Sequence, residues 1–255
     1  MKIIPFTFPD DWPELELYPL NDLHVGDSNT DLKLFKSFIK FIQEKPNRQL
    51  VLVGDLLNNA LKTSVSNVYN DSMSPNEQRK FLTKELEPVR DRILCMVSGN
   101  HEHQTIKDVD MSPIEWLCES LRVKYFSDNA LAIKISFGKG INGKNITYAF
   151  WVTHGHGGGA QVGSMLNKTE TYAAGIENCD GVIVGHVHKR GASAFTSLRL
   201  DLHNNQVLQV EKRAIIASAW QEYAGYAMRM MMRPGVKGTK PVMLYGRVKQ
   251  VEAVV

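Results

Sequence analysis

Five polar segments, each set directly after an apolar run, carry residues that can hold a cation or move a proton. Asp22-Leu23-His24 follows Leu15–Leu20, and Gly54-Asp55 follows Gln49–Val53. Gly99-Asn100-His101-Glu102 follows the run that ends at Val97, His154-Gly155 follows Ile146–Thr153, and Gly185-His186-Val187-His188 follows Val182–Val184. Carboxylates, an amide carbonyl and neutral imidazoles are all metal donors. Asp22 and His24 can meet at one cation if the backbone turns between them, and Asp55 could face two cations with one oxygen each. His101 can give or take a proton near neutral pH. One strand end could carry such a residue by chance. Five doing so argue for one site built across the carboxyl ends of a sheet.

The segments that must position these residues alternate between strand and helix patterns. Strands are predicted over Glu14–Leu20, Gln49–Val53, Arg92–Val97, Val123–Phe126, Ala130–Phe137, Ile146–Thr153 and Val182–Val184, with a hairpin over Phe195–Leu202 and Gln206–Ala217 and a last edge strand over Val242–Val251. Leu32, Phe35, Phe38, Ile39 and Ile42 fall at helical spacing within Asp31–Glu44. Ser74-Pro75-Asn76-Glu77 and Ser112-Pro113-Ile114-Glu115 each combine a serine cap, a proline and a glutamate at the spacing of a helix start. Residues 161–178 contain a further helix, with Tyr172, Ala173 and Ile176 available for packing. Residues 60–74 read as a surface excursion and 103–112 as a loop on the rim of the site. Trp220, Tyr223 and Tyr226 form an aromatic stripe beside Arg229 and Arg233, read first as one buried helical face with Met230 and otherwise as a base-stacking surface.

Composition bounds the reading. A chain of 255 residues, 43% apolar and 22% charged, can bury a full core as one domain. We read residues 1–255 as that domain, with 1–13 as an N-terminal arm and 219–255 as an extension completing it. The net charge of +3 is too near balance to indicate nucleic acid by itself. Cys95, Cys118 and Cys179 are widely spaced and read as free thiols, which favours the cytoplasm. No apolar stretch is long enough to span a bilayer, so no membrane partner is expected. Short apolar segments near both ends leave a homodimer open.

Taken in order, the five polar blocks resemble the signature of the calcineurin-like metallophosphoesterases: D-x-H, G-D, G-N-H-E/D, H and G-H-x-H. The resemblance implies an α/β fold, a four-layer α/β/β/α sandwich of two mixed β-sheets flanked by helices. It implies two divalent cations, with Mn the working choice and Zn, Fe or Ni open. Asp22, His24, Asp55 and His188 would hold one cation, and Asp55, Asn100, His154 and His186 the other. It also implies hydrolysis of a phosphate ester by a hydroxide held by both metals, with Asp55 and His101 as catalytic residues and His101 acting on the leaving group. Glu102 is expected beside the ligands, orienting His101.

One departure bears on substrate. Related protein phosphatases continue from Gly-Asp into a G-D-x-V-D-R-G run, whereas Leu56-Leu57-Asn58-Asn59 follows Asp55 here. The missing arginine removes a clamp for a phosphate monoester, so a phosphodiesterase is the leading reading, with DNA, RNA or a nucleotide as candidate substrate. A phosphomonoesterase, a cyclic nucleotide phosphodiesterase and an inactive binding or scaffold protein are the alternatives. Asn58 and Asn59 could touch substrate or serve loop structure. His156 could lie against the site or in an exposed loop, beside glycines that read as a flexible turn or a phosphate approach. Lys189 and Arg190 are the best-placed cations for a phosphate, and equally a solvated strand start.

Overall fold

Strand alternation sorts the apolar residues into two sheets with a shared interior. The computed structural model describes residues 2–61, 68–157, 161–224, 228, 231 and 233–254. One sheet runs in the order β1 (Ile3–Thr7), β6 (Ala130–Lys139), β7 (Asn145–Thr153), β8 (Gly181–Val184), β10 (Gln206–Ile216) and β9 (Gly191–Asp201). The other runs β12 (Val251–Ala253), β11 (Val242–Tyr245), β2 (Glu14–Leu20), β3 (Arg48–Val53), β4 (Ile93–Val97) and β5 (Phe126–Ser127). Both are mixed: β2, β3, β4 and β5 pair in parallel, as do β7, β8 and β10, while β6–β7, β10–β9 and β11–β2 are antiparallel.

The two faces of β3 show how the layers arise. Val51 and Val53 point into the interior between the sheets, with Leu15, Leu17, Ile133, Phe150 and Val152. Leu50 and Leu52 point the other way, against Phe35, Ile39 and Ile42 of α1 (Leu32–Gln43), Leu82 and Leu86 of α2 (Pro75–Leu86), and Ile114 and Leu117 of the helix Pro113–Leu121. On the far side, Met165 and Ala173 of the helix Val162–Ala174 cover Val182, Val184 and Ile216. The result is the α/β/β/α sandwich that the resemblance implied. With α3 (Asn100–Val109), the two helices just described are α4 and α5.

Local chemistry fixes the helix starts. Asp31 caps α1 by accepting from the Leu34 N–H at 2.9 Å, and Ser74 with Glu77 closes a capping box on α2, with Pro75 in its first turn. Ser112 caps α4 by accepting from the Glu115 N–H at 3.2 Å. Such caps contribute about 1 kcal/mol each.

Several expectations are corrected. Within the N-terminal arm, residues 3–7 add an edge strand that the sequence reading did not place, paired in parallel with β6. The segment 103–112 is mostly helical, because α3 starts at Asn100 and runs to Val109. The strand expected at Val123–Phe126 shrinks to Phe126–Ser127, since Arg122 is left-handed and the Val123 N–H closes the end of α4 on the Cys118 carbonyl at 2.9 Å. The stretch Val242–Val251 is two strands around a turn, and β11 lies inside the sheet between β12 and β2. Tyr172 is exposed rather than packed. Trp220 lies outside any helix and is buried against Phe35 and Phe38, whereas Tyr223 is exposed, so the two share no buried helical face. Tyr226, Arg229, Met230 and residues 62–67 lie outside the described residues.

Candidate metal centre

Parallel neighbours end at the same edge, and that brings the five polar segments together. β2, β3 and β4 present Asp22, Asp55 and Asn100 from one sheet, and β7 and β8 present His154 and His186 from the other. The seam is tied directly: the Nδ1–H of His154 donates to the Val53 carbonyl at 2.7 Å. To turn donors inward at the strand ends, the backbone goes left-handed at Asp22, His24, Asp55, His186 and His188, with φ of 46°, 49°, 49°, 72° and 50°. This region is uncommon for residues other than glycine, and its concentration here marks strain held for function. Gly54 and Gly99 permit the closest approach, since a Cβ on Gly99 would lie 2.1 Å from Asp55 Oδ1.

Around Asp22, the carboxylate is divided between two jobs. Oδ2 accepts the His186 N–H at 2.8 Å and also a short bond from Asn21 Nδ2. Oδ1 faces inward, 3.3 Å from His188 Nε2 and 3.9 Å from His24 Nε2, while those two ring nitrogens stand 3.1 Å apart. Around Asp55, Oδ1 accepts the His101 N–H at 2.9 Å, and Oδ2 lies 3.1 Å from His154 Nε2. His186 completes that side, with its Nδ1 2.8 Å from Asn100 Oδ1. Three groups of possible metal donors result: Asp22, His24 and His188; His24, Asp55 and His101; and Asp55, His154 and His186. Asp55 belongs to two of them.

The donors fit cations better than they fit each other. Asp22 Oδ1 is buried and lacks a hydrogen-bond partner. An unmet buried polar atom costs about 1–3 kcal/mol, and a cation removes that cost. The His154 bond to Val53 fixes the tautomer whose Nε2 lone pair faces the site, as a second partner does for metal-binding histidines. Burial first, and then the nearby His101, push the His24 imidazole down to about 3, so it is neutral and ready to ligate. Burial opposes a proton on His154, but the Asp55 carboxylate overrides it and raises that imidazole to about 10. Burial also opposes the charge on Asp55, yet His154, His24 and His101 hold its carboxyl well below the usual range.

The remaining candidates divide sharply. His101 sits at the start of α3, its Nδ1–H donating to the Asn58 carbonyl at 2.6 Å and its ring edge-on to His24. Glu102 is fully buried, and its hydrogen bonds go to backbone: Asp55, Leu56, Leu57 and Gly99 donate to it at 2.8–3.0 Å. It therefore fixes the Asp55 loop to the start of α3, and its bonds do not go to the His101 ring. Asn58 and Asn59 are buried: the Asn58 side chain bonds Asp71, and the Asn59 side chain bonds the His101 carbonyl at 2.9 Å. His156 is exposed and stacks loosely on His186, with ring centres 5.9 Å apart. Gly158 and Gly159 lie outside the described residues. Lys189 and Arg190 are half-buried just beyond His188.

One residue escaped the sequence reading. Asn21, fully buried, links Asp22 Oδ2 to the Ala217 carbonyl at 3.2 Å and so joins the end of β2 to the end of β10. The signal was an amide directly before a ligand carboxylate.

Residues 20–190 match the family of calcineurin-like phosphoesterases, and the chain belongs to that family. Its chemistry is metal-dependent hydrolysis of phosphoesters. Among solved structures, the Pseudomonas putida nuclease MPE is similar at 13% identity over 93% of this chain and 87% of that one, with a TM-score of 0.37. No curated protein matches the chain.

Proposed function

We propose that this protein is a binuclear phosphodiesterase. The observation that carries the reading is the loop after Asp55: Leu56, Leu57, Asn58 and Asn59 are all buried, and both asparagine side chains are spent on Asp71, His101 and Thr105. This loop offers no cation to a phosphate. A monoester dianion gains most from such a clamp, whereas a diester carries one charge and a second esterified oxygen. A loop without the clamp suits the diester.

Asp22, His24, Asp55 and His188 would hold one divalent cation, and Asp55, Asn100, His154 and His186 the other. When bound, such cations supply an activated water and positive charge for the phosphoryl oxygens. The oxygen and imidazole donors suit Mn, Zn, Fe or Ni without selecting one, and Mn remains the working choice. His101, with Nδ1 engaged by Asn58, keeps Nε2 for the departing oxygen and gives it a proton. DNA or RNA is the substrate class we favour. Free, buried Cys95, Cys118 and Cys179 support a cytoplasmic setting. No helix among the described residues is long and apolar enough to cross a membrane.

The test compares bis-p-nitrophenyl phosphate with p-nitrophenyl phosphate, using metal-stripped protein with and without added Mn. Metal-dependent preference for the diester is the expected result. Preference for the monoester would move the protein to the phosphatases.

A further inference from the structure

The backbone of Asn59 is left-handed, with φ of 49°, a region uncommon outside glycine. The turn that presents the Asn58 carbonyl to His101 therefore needs contacts that hold it. One comes from α2: Gln78 Oε1 accepts the Asn59 N–H at 2.8 Å. The other end of that amide, Gln78 Nε2, donates to Asp71 Oδ2 and to the Met73 carbonyl, both at 2.9 Å. Asp71 Oδ1 in turn accepts from Asn58 Nδ2 at 2.6 Å. The circuit closes on the turn itself, through Asn58 on one side and Asn59 on the other.

Donor and acceptor chemistry allows this circuit one arrangement. The Asn59 N–H can only donate, so the Gln78 oxygen must face it. An ionised Asp71 can only accept, so both amides must turn a nitrogen toward it. Gln78 is fully buried and lies on the core stripe of α2, four and eight residues before Leu82 and Leu86. An apolar residue would pack there without needing partners, whereas a buried amide is tolerated only when it is bonded. Gln78 also passes close to the loop after β2: a Cβ on Gly26, two residues past His24, would run into its amide. The Gly26 carbonyl accepts the Ser72 N–H at 2.8 Å, so the segment before α2 is tied to that loop as well.

We propose that Gln78 and Asp71 are positioning residues for His101: they hold the Asn58–Asn59 turn so that the Asn58 carbonyl engages Nδ1 and leaves Nε2 for the departing oxygen. The proposal rests on the phosphodiesterase reading, in which His101 gives that oxygen its proton. It assigns the aim of that proton to two residues outside the ligand set. Misplacing a reacting group by about 1 Å can cost about a hundredfold in rate.

Turnover of thymidylyl-thymidine by Mn-loaded protein tests the clamp, once thermal unfolding and elemental analysis show folded variants with wild-type metal content. In Asp71→Asn a single carbonyl oxygen would face two amide donors, so kcat should fall about a hundredfold with KM near the wild-type value. Gln78→Glu, which sets a second carboxylate against Asp71, should also fall. The Asp71→Asn, Gln78→Glu double variant restores a donor opposite each acceptor except the Met73 carbonyl, and should recover about tenfold over either single variant. In a His101→Gln background, Asp71→Asn should cost nothing further, which a merely structural role would not produce. The His101 ring gives a readout free of turnover. Long-range proton–nitrogen spectra of metal-free protein, at the alkaline end of a pH series, should place the proton on Nδ1 in the wild type and mix the tautomers in Asp71→Asn. Wild-type kcat in Asp71→Asn, an equal loss in the His101→Gln background, or a ring tautomer that Asp71→Asn leaves unchanged would overturn the positioning role. If the wild type cleaves only monoesters, the phosphodiesterase reading fails by itself, and the tautomer comparison still decides the clamp.

Discussion

His101 donates its Nδ1–H to the main-chain carbonyl of Asn58 at 2.6 Å, so the loop that carries Asp55 also sets the tautomer of the His101 ring. A single segment thus holds the candidate ligand Asp55 at one end and orients the His101 ring, the proposed acid, at the other. Asn59 fastens the same relationship from the opposite side by bonding the His101 carbonyl.

Replacing His101 by Gln should therefore separate chemistry from metal binding. Diester turnover is expected to fall about 10²–10⁴-fold, the usual contribution of a positioned acid. Metal content should stay near the wild-type level, as measured by elemental analysis of the purified variant. Normal turnover in this variant, or loss of metal in step with activity, would remove His101 from the role assigned to it.

Glu102 makes a different prediction because it works through backbone. In Glu102→Gln, an amide donor would face N–H groups that now find carboxylate oxygens, leaving at least one unmet at a cost of about 1–3 kcal/mol. Thermal unfolding of the metal-free variant should begin several degrees lower, and metal affinity should weaken as the Asp55 loop loosens. The pH profile of the residual activity should keep its position. A displaced profile would mean that Glu102 itself exchanges protons with substrate.

Metal loading should release protons. Asp55 raises the His154 imidazole to about 10, so the metal-free protein carries that proton at pH 8, whereas His24 at about 3 has none to lose. A bound cation requires the neutral ring, so affinity should climb as pH rises toward 10. The opposite sign applies to the metal-free fold: because the folded value lies above the ordinary 6.5, the proton on His154 stabilises the fold below about 6.5, and that help is lost as pH rises through about 10. Calorimetric titration with Mn in buffers of different ionisation heat measures the release. Heats that do not depend on the buffer would contradict it.

Asn21→Ala should weaken one side of the centre more than the other. It takes a donor from Asp22 Oδ2 and leaves the Ala217 carbonyl unmet. Metal retained per chain during dialysis should fall, with the loss traced by spectroscopy to the ligand set of Asp22 and His188. Equal weakening of both sides would show that Asn21 serves the fold alone.

The convergence of the five polar blocks was legible because each joins two local signals, an apolar strand and a polar residue at its end. The caps of α2 and α4 were legible for the same reason, since donor and acceptor lie within a few residues. What stayed hidden depends on contacts made at a distance. The helix at Asn100 has no side-chain cap on Gly99, and its first turn is secured by Glu102, whose other partners are Asp55, Leu56 and Leu57. Asn21 owes its place to Ala217, 196 residues away. Asn58 and Asn59 faced substrate or interior with equal weight in the sequence, and only Asp71, Thr105 and the His101 carbonyl turn them inward. The edge strand at Ile3–Thr7 was obscured by Pro5 amid aromatic residues, because its partner is β6, beyond residue 129.

The sheet order has a consequence for how the protein is made. A ribosome delivers β2, β3 and β4, with Asp22, His24, Asp55 and Asn100, before any strand that carries the opposite half of the site. The histidines of the opposite sheet emerge only at 154–188, and the strand that covers the outer edge of β2 arrives at 242–245. Until then a nascent chain carries half of the candidate cation site and an open strand edge, a template for pairing with other chains. A cation that needs donors from both sheets could be held only after His188 has emerged, and chains stopped before β11 should be drawn to chaperones through the open edge of β2.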